Sequence, residues 1–296
     1  MALSLGVSSA ADVTELQGAI DSATDDEPQT IEITNDFSFG SSAVSIPTGK
    51  IITITSDTGS NRILTQSGAS SRHFTVEGSL TLENIALDGG GSGGGVDVAD
   101  GGRFGIQYGE VIGSIAEYGG VYVADGGGFD IQYGEIIGNR AEYGGGVFVS
   151  GSGSFRLHQG KVSGNIAAKD GGGVFVNDDG NFGFHDGEIR GNTAGISGGG
   201  VFVSNDGAFS IHTGKVRDNT AESLGGGVFV NDYGFFSMHD GVISGNEAVK
   251  NGGGLFVSFY GWASINGREI SGNTAGGDGG GILRKTRAPT TCPPIA

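Results

Sequence analysis

Four histidines recur at one place in a repeated phrase: "FRLH", "FGFH", "FSIH" and "FSMH" put His158, His185, His212 and His239 each 27 residues after the last. Imidazoles ligate transition metals and titrate near neutrality, so such a row invites a metal reading. A one-dimensional row pairs neighbours but brings in no converging third or fourth ligand. The same place is held by Gln107 and Gln132 before the histidines and by Asn266 after them. The expectation is therefore a solvent-facing polar ladder, with no metal and no cofactor. A second chemistry, cleavage of polysaccharides, needs paired carboxylates, or a Ca²⁺ cluster beside an Arg or Lys base. Asp178, Asp179, Asp206 and Asp232 fall in turns of the repeat, whereas Arg62, Arg72, His73 and Glu83 break its pattern within residues 29–95. Any catalytic centre is expected in that irregular stretch. A third feature is aromatic: after Asp97, one column reads Tyr122, Phe148, Phe175, Phe202, Phe229 and Phe256.

The elements that carry these residues follow from the period. The apolar residue after each glycine cluster is Val96, Val121, Val147, Val174, Val201, Val228, Leu255 and Ile282, at spacings of 25, 26 and then 27 throughout. Eight residues later stands Phe104, Phe129, Phe155, Phe182, Phe209, Phe236 or Ala263, and ten further on Ser114, Asn139, Asn165, Asn192, Asn219, Asn246 or Asn273. All variation in length thus falls in the turn between the Asn column and the glycine cluster. Within a unit, apolar residues alternate in short bursts split by Gly, Asn and Asp, which reads as three short strands and three turns. A unit this small buries its apolar row only by stacking on identical units, which makes a solenoid. The expected fold is all-β: a right-handed, single-stranded parallel β-helix with about 27 residues per coil, successive coils rising by about 4.8 Å.

Stacking then assigns the columns. The Phe104–Phe236 column points inward and stacks ring on ring. The Asn column is expected as a buried amide ladder at a turn. Gly102, Gly127, Gly153, Gly180, Gly207, Gly234 and Gly261 are expected at positions of positive φ, and the Ala column from Ala116 to Ala275 in a tight corner. Glu110, Glu135, Lys161, Glu188, Lys215, Val242 and Glu269 read as a solvated charged face. If the valines of each "VFV" point inward, Tyr122 and the five phenylalanines between them point out, as an exposed aromatic stripe suited to a partner surface or a sugar face. The competing reading reverses in and out, or covers the stripe by a lateral self-contact.

The ends differ. Asp12 and Glu15 form a capping box ahead of Val13, Leu16, Ala19 and Ile20, predicting a helix over 12–23 that closes the N-terminal end of the core. Residues 1–28 hold this segment, 29–95 two to three irregular coils, 96–283 the regular coils, and 284–296 a disordered tail, unless the chain continues there.

Composition narrows the partners. Sixty-two glycines without a three-residue period or abundant proline are positional and not collagenous. A net charge of −17 repels nucleic acid and anionic membrane surfaces. The sequence has no run of roughly 18 apolar residues, so no membrane insertion is expected. Cys292 is the single cysteine, leaving no internal disulfide, and "MALSLGVSSAADV" is not a complete secretory leader. The nonapeptide Ca²⁺ repeat and the outward Thr rows of a flat ice-binding face are both missing.

The recurring pair of phrases, "GGGV" at Gly144–Val147, Gly171–Val174, Gly198–Val201 and Gly225–Val228 with "GGGL" at Gly252–Leu255, then F-x-x-H, resembles the GG[AG][ILV] and F-x-x-N repeats of adhesin-type and polymorphic outer-membrane-protein β-helices. The family's Asn is His in four coils and Gln in two; Asn266 keeps it, but beside Ala263. The resemblance covers roughly residues 90–282 and implies a pectate-lyase-like β-helix displayed on a bacterial surface. The expected function is a non-enzymatic extracellular stalk or adhesin-like module. Its partners would be a glycan, a host-matrix or cell-surface protein, or a second copy of itself. The alternative is a carbohydrate-active lyase or hydrolase.

Overall fold

A computed structural model describes residues 7–258, 260–266 and 269–285. The chain winds into a parallel β-solenoid with three sheets. One face is a ten-stranded sheet running from Val44–Ile46 to Ile282–Arg284, built in the regular coils from the "VFV" strands. The largest sheet carries two segments of each regular coil, for example Ala208–Ile211 and Lys215–Arg217. Two-residue strands such as Thr220–Ala221 form a third, six-stranded sheet at the corner after the Asn column. The third face is therefore shorter than a full strand, because Ala must fit where the chain bends: Ala167, Ala194, Ala221 and Ala248 are buried.

The column register expected from the repeat holds along the axis. Val96 pairs with Val121, and so on through Val147, Val174, Val201, Val228 and Leu255 to Ile282. The Phe column likewise pairs from Phe104 to Phe236 and then Ala263. Its rings are buried and stack at 4.6–5.3 Å between centroids. Beside them runs the amide ladder: Asn139, Asn165, Asn192 and Asn219 each donate both the backbone N–H and Nδ2 to Oδ1 of the next asparagine.

The N-terminal irregular coils run through Pro28–Ile33, Phe37–Phe39 and Val44–Ile46, then Ile51–Ser56, Arg62–Gln66 and Phe74–Val76, then the ten-residue strand Ser79–Asp88. Helix α1 (Val13–Ser22) is capped by Asp12, whose carboxylate accepts from the backbone N–H of Thr14 and Glu15; the Glu15 carboxylate accepts from the Ala11 N–H. Its Leu16 and Ile20 are fully buried against the first coil, so the helix shields apolar residues at that end as its pattern predicts. Among the described residues no helix is long and apolar enough to cross a membrane. At the other end Ile282–Arg284 still pairs with Leu255–Val257, so order extends past residue 283; the expectation for the tail from 286 onward lies outside the described residues.

One column has a different cause from that expected. Gly102, Gly127, Gly153, Gly180, Gly207, Gly234 and Gly261 do not have positive φ; the left-handed residues stand just before them, at Gly101, Gly126, Gly151, Asp179, Asp206 and Tyr233. What excludes a side chain is space: a Cβ on Gly102 would lie 2.2 Å from the Val76 carbonyl oxygen, and one on Gly261 2.7 Å from that of Val230. The turn packs directly on the backbone of the coil below.

Candidate functional site

The aromatic stripe is where expected on the backbone but not on the surface. The "VFV" valines are in the core, and the phenylalanines point away from it. Yet Phe148, Phe175 and Phe202 are 7%, Phe229 6% and Phe256 2% exposed. They form a second, external core, stacked at 4.7–5.2 Å and joined by half-buried Tyr118, Tyr122, Tyr143, Leu224 and Leu283. The glycine run approaches the bases of these side chains closely. Gly198, at φ +68°, lies so close to Phe202 that a Cβ on it would sit 2.7 Å from that residue's Cβ. Without side chains the turn packs against the base of Phe202, whose ring lies between Phe175 and Phe229 in the column. The expectation of an exposed ligand-binding stripe is therefore corrected for Phe148, Phe175, Phe202, Phe229 and Phe256, and Tyr122 keeps only partial exposure.

The histidine column does face solvent, on the outer side of the large sheet. His158, His185, His212 and His239 stack at 4.8, 4.6 and 5.3 Å with rings within 17° of parallel. Partial burial, then the neighbouring His158 and His212, then Arg156, hold the His185 imidazole below its usual pKa. Charging one ring thus opposes charging the next. Among the described residues no three His, Cys, Asp or Glu converge on a metal position. The charged column behaves as a solvated face: Lys161 meets Glu135 at 2.6 Å, and Arg217 forks onto Glu188 at 3.0 and 3.1 Å.

The residues that break the repeat are each tied into local contacts of the irregular coils or stand apart on the sheet. Arg62 pairs with Asp57 at 2.7 Å. His73 is buried against Phe39 and pushed down to about 4 by desolvation; its Nδ1 accepts from the Gly95 N–H. Arg72 donates to the carbonyls of Tyr118 and Gly119 and pairs with Asp97. Glu83 stands apart on the large sheet, in register with Tyr108. Arg72 and His73 both engage the Gly94–Gly95 turn, Arg62 pairs with Asp57, and all three are thus engaged in holding the irregular coils together.

The structure brings out exposed aromatics elsewhere on the large sheet's outer face. Tyr108 and Tyr133, 51% and 52% exposed, stack at 5.2 Å with their planes within 7°. They follow directly on Gln107 and Gln132, where the strand Arg103–Ile112 has an irregular register against Ser79–Asp88. Beside them is a depression of about 330 Å³ bordered by Arg103, Gly105, Gln107, Asp130 and Gln132. It shares Gln132 with a groove of about 520 Å³ that continues past Tyr133 along His158, His185 and His212. Farther along the same sheet, Phe235 pairs in register with Trp262, the latter 60% exposed. Nearby Tyr233 and Tyr260 stack at 5.3 Å. In the preceding coils the corresponding positions are Ala208 and Asn181, and Asp206 and Asp179. That break in two columns was the available signal, and reasoning confined to the longest aromatic column passes over it.

Comparison with protein-family models, with curated proteins and with solved structures finds no match for this chain.

Proposed function

We propose that this protein is a non-enzymatic, extracellular or cell-surface β-helix scaffold, adhesin-like in use, that binds an extended glycan along the outer face of its largest sheet. The observation carrying this reading is the stacked pair Tyr108–Tyr133 at the head of a polar groove that runs on into the histidine ladder. Exposed flat rings suit the apolar faces of sugars, and amide, imidazole and carboxylate side chains repeating at about 4.8 Å supply hydrogen-bond partners along a chain. The resemblance of the repeat to adhesin-type β-helices supports surface display. The uniformity of the coils supports binding over catalysis, since chemistry needs unlike groups converging on one place. With the phenylalanine stripe buried, self-association through it loses its basis, and the exposed face becomes the place for a partner.

A glycan array, followed by titration of each bound polysaccharide, tests the proposal. The lone tryptophan, Trp262, is an exposed fluorescent reporter on the same sheet. Paired replacement of Tyr108 and Tyr133 by Ala is expected to abolish binding while leaving the circular-dichroism spectrum unchanged. Depolymerisation of the bound polysaccharide would overturn the non-enzymatic reading, and an empty array would overturn glycan binding.

A further inference from the structure

The external aromatic column ends abruptly. Going toward the N-terminus, its members run from Phe256 to Phe148 and then Tyr122; the next position in register is Asp97, and beyond that Thr75. Rings in the column stand about 5 Å apart, so Asp97 leaves room where one more ring would lie. That room is a cleft of about 460 Å³, bordered by Ser70, Arg72, Asp97, Glu117, Tyr118 and Tyr122. Its size is within the range of about 300–1,000 Å³ typical of small-ligand sites.

The polar groups of the cleft are held in place before any ligand arrives. Arg72 has a side chain only 13% exposed. It donates to the backbone carbonyls of Tyr118 at 2.6 Å and Gly119 at 2.7 Å, with a longer bond to Gly94. Its Nε stands 2.7 Å from Oδ1 of Asp97, a contact that is an ion pair and is not aligned as a hydrogen bond. Because that oxygen is buried while the Asp97 side chain is 40% exposed, the exposure falls on Oδ2 and Cβ. Arg72 thus ties the tyrosine-bearing turn to the strand below and orients Asp97. Glu117 sits beside the Tyr118 hydroxyl and raises its pKa. With the Arg72 charge matched by Asp97, Glu117 leaves the cleft net negative, which disfavours an anionic ligand.

We propose that this cleft binds a single neutral pyranose ring, which takes the place of the missing member of the aromatic column. The ring packs against Tyr122 and Tyr118, and its hydroxyls donate to Asp97 Oδ2 and to Glu117. This site does not rest on glycan binding by the large sheet, since it lies at the turn beside the "VFV" sheet and shares no residue with the groove. It would hold a chain end or a single sugar.

Methyl glycosides of glucose, galactose, mannose and N-acetylglucosamine, examined by saturation-transfer NMR and calorimetry on the full chain, test this. At least one is expected to bind with a Kd of about 1 mM or below. Ile115 is 41% exposed and borders the cleft, so Ile115→Trp should fill it and weaken binding at least tenfold. Glu117→Ala provides a second lesion should the tryptophan variant fail to fold. If replacement of Tyr108 and Tyr133 by Ala removes the binding while a folded cleft variant retains it, the sugar lies on the large sheet and the cleft proposal fails. The proposal is overturned if none of the four glycosides binds, or if a folded cleft variant binds as the wild type does.

Discussion

Oδ1 of Asn219 accepts two hydrogen bonds from Asn192, one from its backbone N–H and one from Nδ2, both at 2.9 Å. The second Nδ2 proton goes to the Val162 carbonyl, and Asn192 Oδ1 in turn accepts the same pair from Asn165. Every polar atom of this fully buried side chain is therefore matched, and each asparagine completes its neighbour. Replacing Asn192 by Ala strands two buried donors of Asn165 and the Val162 carbonyl. At about 1–3 kcal/mol for a buried group left unpaired, the loss should reach roughly 3 kcal/mol. Urea unfolding of the variant checks this, and a change below about 1 kcal/mol would show that water enters the ladder at no cost.

Gly198 decides whether the glycine run can lie on the rings. At φ +68°, with Phe202 Cβ and the Val201 carbonyl both 2.7 Å from where its own Cβ would be, it tolerates no side chain. Gly198→Ala should lose at least about 1–2 kcal/mol from the left-handed backbone alone. Lifting of the turn should also raise the exposure of Phe202, read as increased dye binding to apolar surface.

Phe209 and Phe202 are seven residues apart but belong to different cores, the first inside the solenoid and the second under the glycine turn. Phe209→Ala empties a fully buried site between Phe182 and Phe236, and should destabilise by about 3–5 kcal/mol. Phe202→Ser should destabilise as well, which an exposed stripe would not do. Thermal melts of the two variants distinguish a stripe that is covered from one that is free.

His73 makes stability depend on acidity. Its pKa is pushed down to about 4 in the folded chain, with burial the largest cause, against an ordinary value of about 6.5. The unfolded chain therefore binds the proton first: the contribution is fully present above about pH 6.5 and is lost as pH falls toward 4. The shift corresponds to roughly 3 kcal/mol. His73→Gln should flatten the pH dependence of the unfolding midpoint between those limits. An unchanged slope would mean that the imidazole is hydrated in the folded state.

The histidine ladder should prove dispensable for folding. Replacing His185 and His212 together by Gln, the residue that Gln107 and Gln132 already supply at this position, should leave the melting temperature at neutral pH nearly unchanged. Because His185 titrates below its usual value, the double variant should resist acid slightly better than the wild type. Loss of a bound transition metal on this change, measured by elemental analysis, would overturn the account of the ladder as purely polar stacking.

Much of the architecture was legible in the sequence, because in a solenoid the residue 27 positions on is the neighbour in space. That single relation aligned the valine, phenylalanine and asparagine columns and set their register, but it left open which side of "VFV" faces the core. Local chemistry was equally readable at the capping box of Asp12 and Glu15. Contacts within one coil were not, because they depend on the path of the turns, which periodicity leaves open. Alternation opposes Phe175 to Val174 and Val176, but only the structure shows the valines in the core and Phe175 buried outside it with Gly171 packed against its base. Gly102 is required because the Val76 carbonyl of the neighbouring coil is too close for a side chain, a distance that no pattern of residue types encodes. The exposure of Tyr108 and Tyr133 depended on the same kind of fact, and so did the cleft opened at Asp97. Periodicity dictates what stacks along the axis, and the lateral packing of the turns decides which side chains remain available to a ligand.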